Sequence, residues 1–271
     1  MVTHCDSSRF MFNASLRAGA YAPVPGGVSG RIGRESRVPI PSALRRWVLA
    51  VMALVMAISP VAVAAATPRE LLIAAAFQTH EKAKALALVG QAITASDRIL
   101  ASRPGDREAT LQRGIALGYR GKLTRSRADA KQSLGIFEAL AARDARDAEA
   151  QMVLAGWHLD AIDQLGGFMA RTVLGAKRQV GEAALARAVA LGGKRALYVG
   201  LAAMMRIRLD SGNVAEARKL AEVAAQAPTP TPLDVLMKRG AVAILPALRA
   251  NNGKAAAEQA RKLLPFGTLA T

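Results

Sequence analysis

The sequence predicts an all-α protein, and three observations support this prediction. Hydrophobic residues make up 52% of the 271 residues and aromatic residues only 4%, whereas β-sheets favour aromatic and β-branched residues. Segments rich in Ala and Leu, which are good helix formers, carry apolar residues at spacings of three and four, the pattern of a helix with one buried face. Short clusters of Gly, Pro, Asp and Asn separate these segments and are typical of turns.

The first 66 residues are predicted to form a leader and an export signal. Residues 1–44 contain a stretch rich in Gly, Pro and Ser and show no hydrophobic period, so we expect them to be disordered. Residues 45–66 combine Arg45 and Arg46, an apolar run of about 12 residues and a tail of small residues, which is the order of a secretory signal peptide. A spanning helix needs roughly 20 residues. A retained inner-membrane anchor is the alternative, and in both cases the rest of the chain is predicted to be periplasmic or secreted.

The charge of the chain predicts anionic partners. The chain has 37 basic and 20 acidic residues and a net charge of +17; the seven basic and two acidic residues at positions 1–66 leave +12 on residues 67–271. Because the export signal argues against nucleic acid as a partner, we expect an anionic envelope surface or an acidic protein. The single cysteine, Cys5, precedes the export segment, so the folded part is predicted to have no disulfide, thiolate metal site or cysteine nucleophile.

Residues 67–271 are predicted to form one domain of helical hairpins. Breaks recur about every 40 residues, and each interval holds a helix, a tight turn and a second helix, which is the organisation of a helical solenoid. In the third interval one apolar stripe is expected to pack between helices. After the last break, Pro246 is expected to kink or end its helix. The breaks lie at Asp106, Asp147, Gly193 and Thr231, and the stripe is formed by Leu197, Leu201, Met204, Met205 and Leu209.

The segment "SGNVAEARKLAEVAAQAPT" resembles the second helix of a tetratricopeptide repeat. The phrases "RPGDREA" and "ARDAEA" are similar to the links between such repeats, and the resemblance covers roughly residues 80–265. It implies a right-handed superhelix of helical hairpins with a concave surface that binds a protein or peptide. The matching residues are Gly212, Val214, Ala217, Ala221, Ala224 and Pro228.

Trp157 and His158 are the first candidates for a site, because "GWHLDAID" places a histidine near two carboxylates. On a helix His158 lies about 200° from Asp160 and about 140° from Asp163, so the three side chains do not converge on one ion. We expect foremost a packed pair at a hairpin interface. A ligand groove and a metal or catalytic histidine are the alternatives.

Two further groups are candidates for binding. The segment "LGGFMARTVLGAK" at residues 165–177 contains three glycines and an apolar centre with Phe168 and Met169, which is either an extra helical turn or a lid that contacts a ligand or partner. A run of basic residues contains a single acidic residue in its span and is either a solvated face or an anion-binding site. The basic residues are Arg113, Arg120, Lys122, Arg125, Arg127 and Lys131.

The function predicted from the sequence is that of a non-enzymatic, exported scaffold or adaptor that binds a protein partner in the cell envelope. The alternative is a periplasmic accessory protein that holds a small apolar or anionic ligand, because "GWH" followed by a helix also resembles the T component of tripartite transporters and the microtubule-regulator-like helical repeats. No cofactor and no nucleic acid are expected. The mature chain has two histidines and no cysteine, so catalysis is not expected.

Overall fold

The computed structural model describes residues 66–269, and these residues form ten α-helices, one π-helical turn and no strand. The all-α class predicted from the sequence is therefore confirmed. The predicted leader and export signal lie almost entirely outside the described residues. The helices are α1 (Pro68–Phe77), α2 (Lys82–Ser102), α3 (Arg107–Thr124), α4 (Arg127–Arg143), α5 (Ala148–Met169), the π-turn (Ala170–Leu174), α6 (Arg178–Leu191), α7 (Ala196–Leu209), α8 (Val214–Gln226), α9 (Pro232–Arg249) and α10 (Gly253–Leu263).

The helices pack in five consecutive pairs, α1 with α2 through α9 with α10. Three of the predicted breaks begin the first helix of a pair, because their side chains accept hydrogen bonds from backbone N–H groups of the first turn. Asp106 caps α3, Asp147 caps α5, and Thr231 caps α9 in a capping box. Gly193, with φ +65°, lies in the turn between α6 and α7.

Small residues allow the helices of a pair to approach closely. In α8, Ala217, Ala221 and Ala224 are fully buried. In α3, a β-carbon on Gly121 would lie 2.9 Å from the backbone nitrogen of Ala130 in α4, a distance at which the backbone would have to shift. Small side chains at these positions therefore leave room for the partner helix.

Pro246 does not end its helix, contrary to that part of the prediction. Helix α9 continues to Arg249, and Ala250 N donates to the carbonyl of Pro246. Leu245 and Leu248 on either side are buried. Proline removes one hydrogen bond near the end of the helix, and the packing of these two leucines holds the last turn in place.

The C-terminal segment returns to the first helical pair. Phe266 N donates to Ala76 O at 2.9 Å, and the Phe266 ring packs edge-on against Tyr119 of α3 with 4.7 Å between ring centroids. Phe266 is 9% exposed and packs with Leu72 and Val89. Residues after α10 thus join the end of the chain to α1, α2 and α3.

We predict that Ala217→Phe destabilises the fold by about 1 to 3 kcal/mol, because a large side chain between α7 and α8 forces the helices apart. Chemical denaturation measures the change. Ala215→Phe on the exposed side of α8 is the control and should change stability by less than about 0.5 kcal/mol. Equal effects at both positions would contradict the packing described for α8.

We predict that Phe266→Ala lowers the free energy of unfolding by about 3 kcal/mol, since it removes a buried ring and its contacts with α1 to α3. Phe168→Ala, at a ring that is 79% exposed, is the matched control. If the two variants unfolded at the same denaturant concentration, the return of the C-terminal segment would not contribute to stability.

Candidate functional site

The first helices of the five pairs line one cavity of about 610 Å³. Helices α1, α3, α5, α7 and α9 all contribute, α4 and the π-turn add a few residues, and Leu264 and Pro265 of the returning segment complete the wall. A cavity of this size lies in the range of small-molecule sites. The cavity is the candidate functional site because one face of each of these helices converges on it.

Most of the cavity wall is apolar. Leu197, Leu201 and Met205 of the predicted stripe belong to the packed core, as expected, and also line the cavity, which the prediction did not include. Trp157 is half-buried in the wall, and its Nε1 donates to Ala130 O at 2.9 Å. This hydrogen bond satisfies the polar atom of the indole, so the ring presents apolar surface to the cavity.

One part of the wall carries a cluster of charges around Asp160. Lys122 Nζ donates to both carboxylate oxygens at 3.0 Å, and Arg208 donates from a terminal nitrogen at 2.9 Å. Burial raises the pKa of Asp160, but Lys122 and Arg208 more than offset it, so its pKa lies below the usual value and the carboxylate stays ionised. Tyr119 lines the same cavity, and burial followed by the charge of Asp160 raises its pKa, so its hydroxyl stays neutral.

A second set of ion pairs joins the starts of α1, α3 and α5. Arg69 contacts Glu149 at 2.7 Å and Glu108 at 2.8 Å, and Arg107 contacts Asp147 at 2.6 Å and Glu149 at 3.0 Å. Burial raises the pKa of Glu149, but the two arginines lower it further than burial raises it. Arg69 and Glu149 line the cavity, so this wall is polar but internally paired.

The balance of charge on the wall favours an anion. Among the described residues five basic and two acidic side chains line the cavity. Arg69 is paired with Glu149 and Glu108, Lys122 with Asp160, and Arg208 with both Asp160 and, at 3.4 Å, Asp163. Neither Arg125 nor Arg127 forms an ion pair within residues 66–269. The excess positive charge therefore comes from Arg125 and Arg127, and an apolar molecule with an anionic group matches both this charge and the apolar wall.

His158 lies away from the cavity, in the interface with α6. It is 2% exposed, its Nδ1 accepts from Lys177 N at 3.2 Å, and its side chain lies close to Gly181. His80 lies between α1 and α2, and its Nδ1 is 3.2 Å from Thr268 O near the end of the described residues. Within residues 66–269 no group of three or more His, Cys, Asp and Glu side chains is placed to hold a metal ion.

Phe168 and Met169 are not part of the cavity wall. They are 79% and 49% exposed, and Leu165 next to them is 45% exposed. Gly166 breaks α5 between Leu165 and Phe168 with φ +75° and ψ 154°, a conformation that glycine tolerates. Leu165, with Val173 and Leu174 after the break, does line the cavity.

The predicted basic cluster is divided between ion pairs and solvent. Arg113 contacts Asp97 at 2.6 Å and Arg120 contacts Asp129 at 2.6 Å. Lys122 contacts Asp160, as described above. The three remaining members, Arg125, Arg127 and Lys131, are exposed. The cluster is therefore not one anion site, because acidic partners from other helices pair with half of it.

Tyr119, Glu149 and Arg208 are wall residues that the sequence analysis did not select. The sequence offered one indication of the wall. Residues three or four positions from Trp157 lie on the same face of the helix as Trp157. Gly156 and Asp160 share the wall with Trp157, whereas His158 is rotated about 100° away. Extending that face would have selected Asp160 in place of His158.

Comparison with family models, with curated proteins and with solved structures gave no match for this chain. Within residues 66–269 no helix combines the length and apolar character needed to cross a membrane. The protein is thus an all-helical protein in which several helices line one cavity.

We predict that His158 makes the fold less stable as pH falls below about 6.5. Burial, followed by the charge of Lys177, lowers the pKa of His158 from 6.5 to about 4, so the unfolded chain binds the proton more tightly than the folded one. Its contribution is complete above pH 6.5 and decreases by up to about 3 kcal/mol towards pH 4. Unfolding in urea at several pH values measures this.

His158→Asn is the control for that measurement, because its amide oxygen can accept from Lys177 N and does not titrate. The variant should show a smaller slope of stability with pH above about 4.5. Asp147, Glu149, Asp160 and Asp234 have lowered pKa values and lose their contribution only below that pH. Identical slopes for the two proteins would contradict the assignment.

Proposed function

We propose that this chain is a non-catalytic, exported binding protein that holds a small amphiphilic anion in its central cavity. In this proposal the helical pairs form a tetratricopeptide-like solenoid, and the first helix of each pair faces the ligand. The observation that carries the proposal is the cavity of about 610 Å³, whose wall is largely apolar and includes more basic than acidic residues.

Each part of the wall has a role in this proposal. The alkyl part of the ligand would lie against Trp157, Leu201 and Met205 and be removed from water, which is the main source of affinity for an apolar group. The anionic group would lie near Lys122 and Arg208, which Asp160 holds in place at 3.0 and 2.9 Å. The neutral hydroxyl of Tyr119 can donate to the same group.

The scaffold hypothesis from the sequence stays a prediction and is less well supported. A peptide-binding surface requires a strip of first-helix side chains open to solvent. Most side chains of the first helices that line the cavity are instead buried or half-buried, and Leu264 and Pro265 lie across part of it. A small ligand fits this enclosure better than an extended peptide.

We predict that Gly156→Leu weakens ligand binding by at least about tenfold without loss of stability. Gly156 lines the cavity, and a β-carbon there would contact nothing within 4 Å, so a leucine side chain extends into the free space and takes the place of the ligand. Leucine is also a better helix former than glycine by about 0.5 to 1 kcal/mol. Binding of dansyl-undecanoate, a fluorescent alkyl carboxylate, is measured by titration and by displacement with hexadecanoate.

Gly135→Leu is the matched control, because Gly135 is an exposed helical glycine of α4 with the same open surroundings and no place on the cavity wall. It should gain similar helix stability and keep wild-type affinity, while Gly156→Leu weakens binding by at least about tenfold. Absence of binding to the wild-type protein, or equal binding by both variants, would overturn the proposed function.

A further inference from the structure

The exposed residues of the wall locate the mouth of the cavity. Among the described lining residues only four are exposed: Arg125, Arg127, Gln164 and Leu165. They come from the connection between α3 and α4, the start of α4 and the C-terminal part of α5. The remaining lining residues are buried or half-buried, so a ligand reaches the cavity between these two parts of the chain.

An exposed apolar patch adjoins this mouth. The patch consists of Leu165, Phe168 and Met169, and Leu165 belongs to both the patch and the mouth. Single exposed apolar residues are common on proteins, but three within five residues at the entrance of a cavity indicate a contact surface.

The patch is held by a small core of its own. Ile162, Ala170 and Ala176 are buried together and pack against the partly buried Trp157. The buried residues lie on both sides of Phe168 and Met169 in sequence. The two exposed side chains therefore extend from an anchored segment whose other side is packed.

Basic residues are exposed on the segments that form the mouth and carry the patch. Residues 125–131 and 164–178 contain six exposed basic side chains and one acidic residue, Asp129, which is paired with Arg120. Arg178 also forms an exposed pair with Glu182. An apolar protrusion among basic residues matches the surface of an anionic bilayer, which offers phosphate groups at its surface and acyl chains below them. The six are Arg125, Arg127, Lys131, Arg171, Lys177 and Arg178.

We propose that the patch docks the mouth of the cavity onto an anionic phospholipid bilayer, so that the ligand passes between bilayer and cavity at the docked surface. Phe168 and Met169 enter the acyl region, and the basic residues contact the headgroups. The passage of ligand rests on the proposed function, whereas docking rests on the patch and its charges alone. A protein surface would complement the apolar side chains, but the excess of basic residues favours lipid.

Quenching at defined positions in the full chain tests docking. Phe168→Cys or, as control, Val242→Cys is introduced with Cys5→Ser and labelled with an environment-sensitive fluorophore; Val242 is 46% exposed on α9. Vesicles of brominated phosphatidylcholine with phosphatidylglycerol should quench the label at position 168 and leave that at 242 unchanged. Because the two proteins share the same leader, binding through the leader alone would not distinguish them.

A matched pair of variants tests whether docking requires the basic residues near the patch. Arg171→Gln with Lys177→Gln should weaken vesicle binding of the labelled protein by at least about tenfold, and added salt should weaken the wild type similarly. Arg218→Gln with Lys219→Gln removes two exposed charges from α8 and should have no such effect. Equal quenching at positions 168 and 242 would overturn docking. Docking would also be overturned if position 168 were not quenched and the protein formed a dimer that Phe168→Ser dissociates.

Transfer of dansyl-undecanoate from the protein to vesicles tests the passage of ligand. The transfer rate should rise with the concentration of anionic vesicles and fall at least about tenfold in Phe168→Ser with Met169→Ser, while affinity in vesicle-free buffer is unchanged. Val223→Ser with Val242→Ser, at two other exposed positions, is the control. A transfer rate that does not depend on vesicle concentration would overturn the passage of ligand. If dansyl-undecanoate did not bind the protein in buffer, the proposed function would be refuted. The quenching experiment would then decide docking by itself.

Discussion

The cavity depends on the contact between the end of the chain and its first helices. Phe266 N bonds to Ala76 O, and the ring of Phe266 lies against Tyr119. In an unfolded chain, joining positions so far apart in sequence would carry a large loop-closure entropy. The packed helical pairs already hold the two ends close, so the contact has to order only the few residues after α10. A small contact can therefore complete the cavity wall, to which Leu264 and Pro265 belong.

The volume of the cavity requires that water or a ligand fill the space. A sealed, dry void of this size would cost about 15 kcal/mol at roughly 24 cal/mol per Å³, which equals the whole stability of many domains. Gly156 lies on the wall, and a β-carbon there would contact nothing within 4 Å, so a larger residue at this position would fill part of the space. Water or a ligand must occupy it, and the exposed mouth at Arg125 and Leu165 allows both to enter.

Local features of the sequence predicted the helices, and distant contacts determined the site. Asp106, Asp147 and Thr231 mark helix starts because a cap needs only the next three residues. The charged wall instead joins Lys122, Asp160 and Arg208 from three helices, and no local pattern relates them. For the same reason the basic run looked unpaired in sequence, although Asp97 and Asp160 pair with two of its members. Trp157 lies on the cavity wall together with its neighbours on the helix face, and its role in a ligand groove stays a prediction.

In the proposed function, the pairing of charges around Asp160 accounts for a preference of the cavity for anions. Lys122 and Arg208 lose part of their hydration on the wall, and Asp160 offsets this cost before any ligand arrives. An entering anion meets cations that are already positioned, so it has little side-chain entropy to remove. A cation would meet the same two basic side chains, and the nearby carboxylates are already occupied: Asp160 accepts from Lys122, Arg208 and Gln164, and Asp163 pairs with Arg208. If the proposed function holds, the anionic group is recognised without a dedicated binding loop, and the apolar surface around Trp157 accommodates the alkyl part of the ligand.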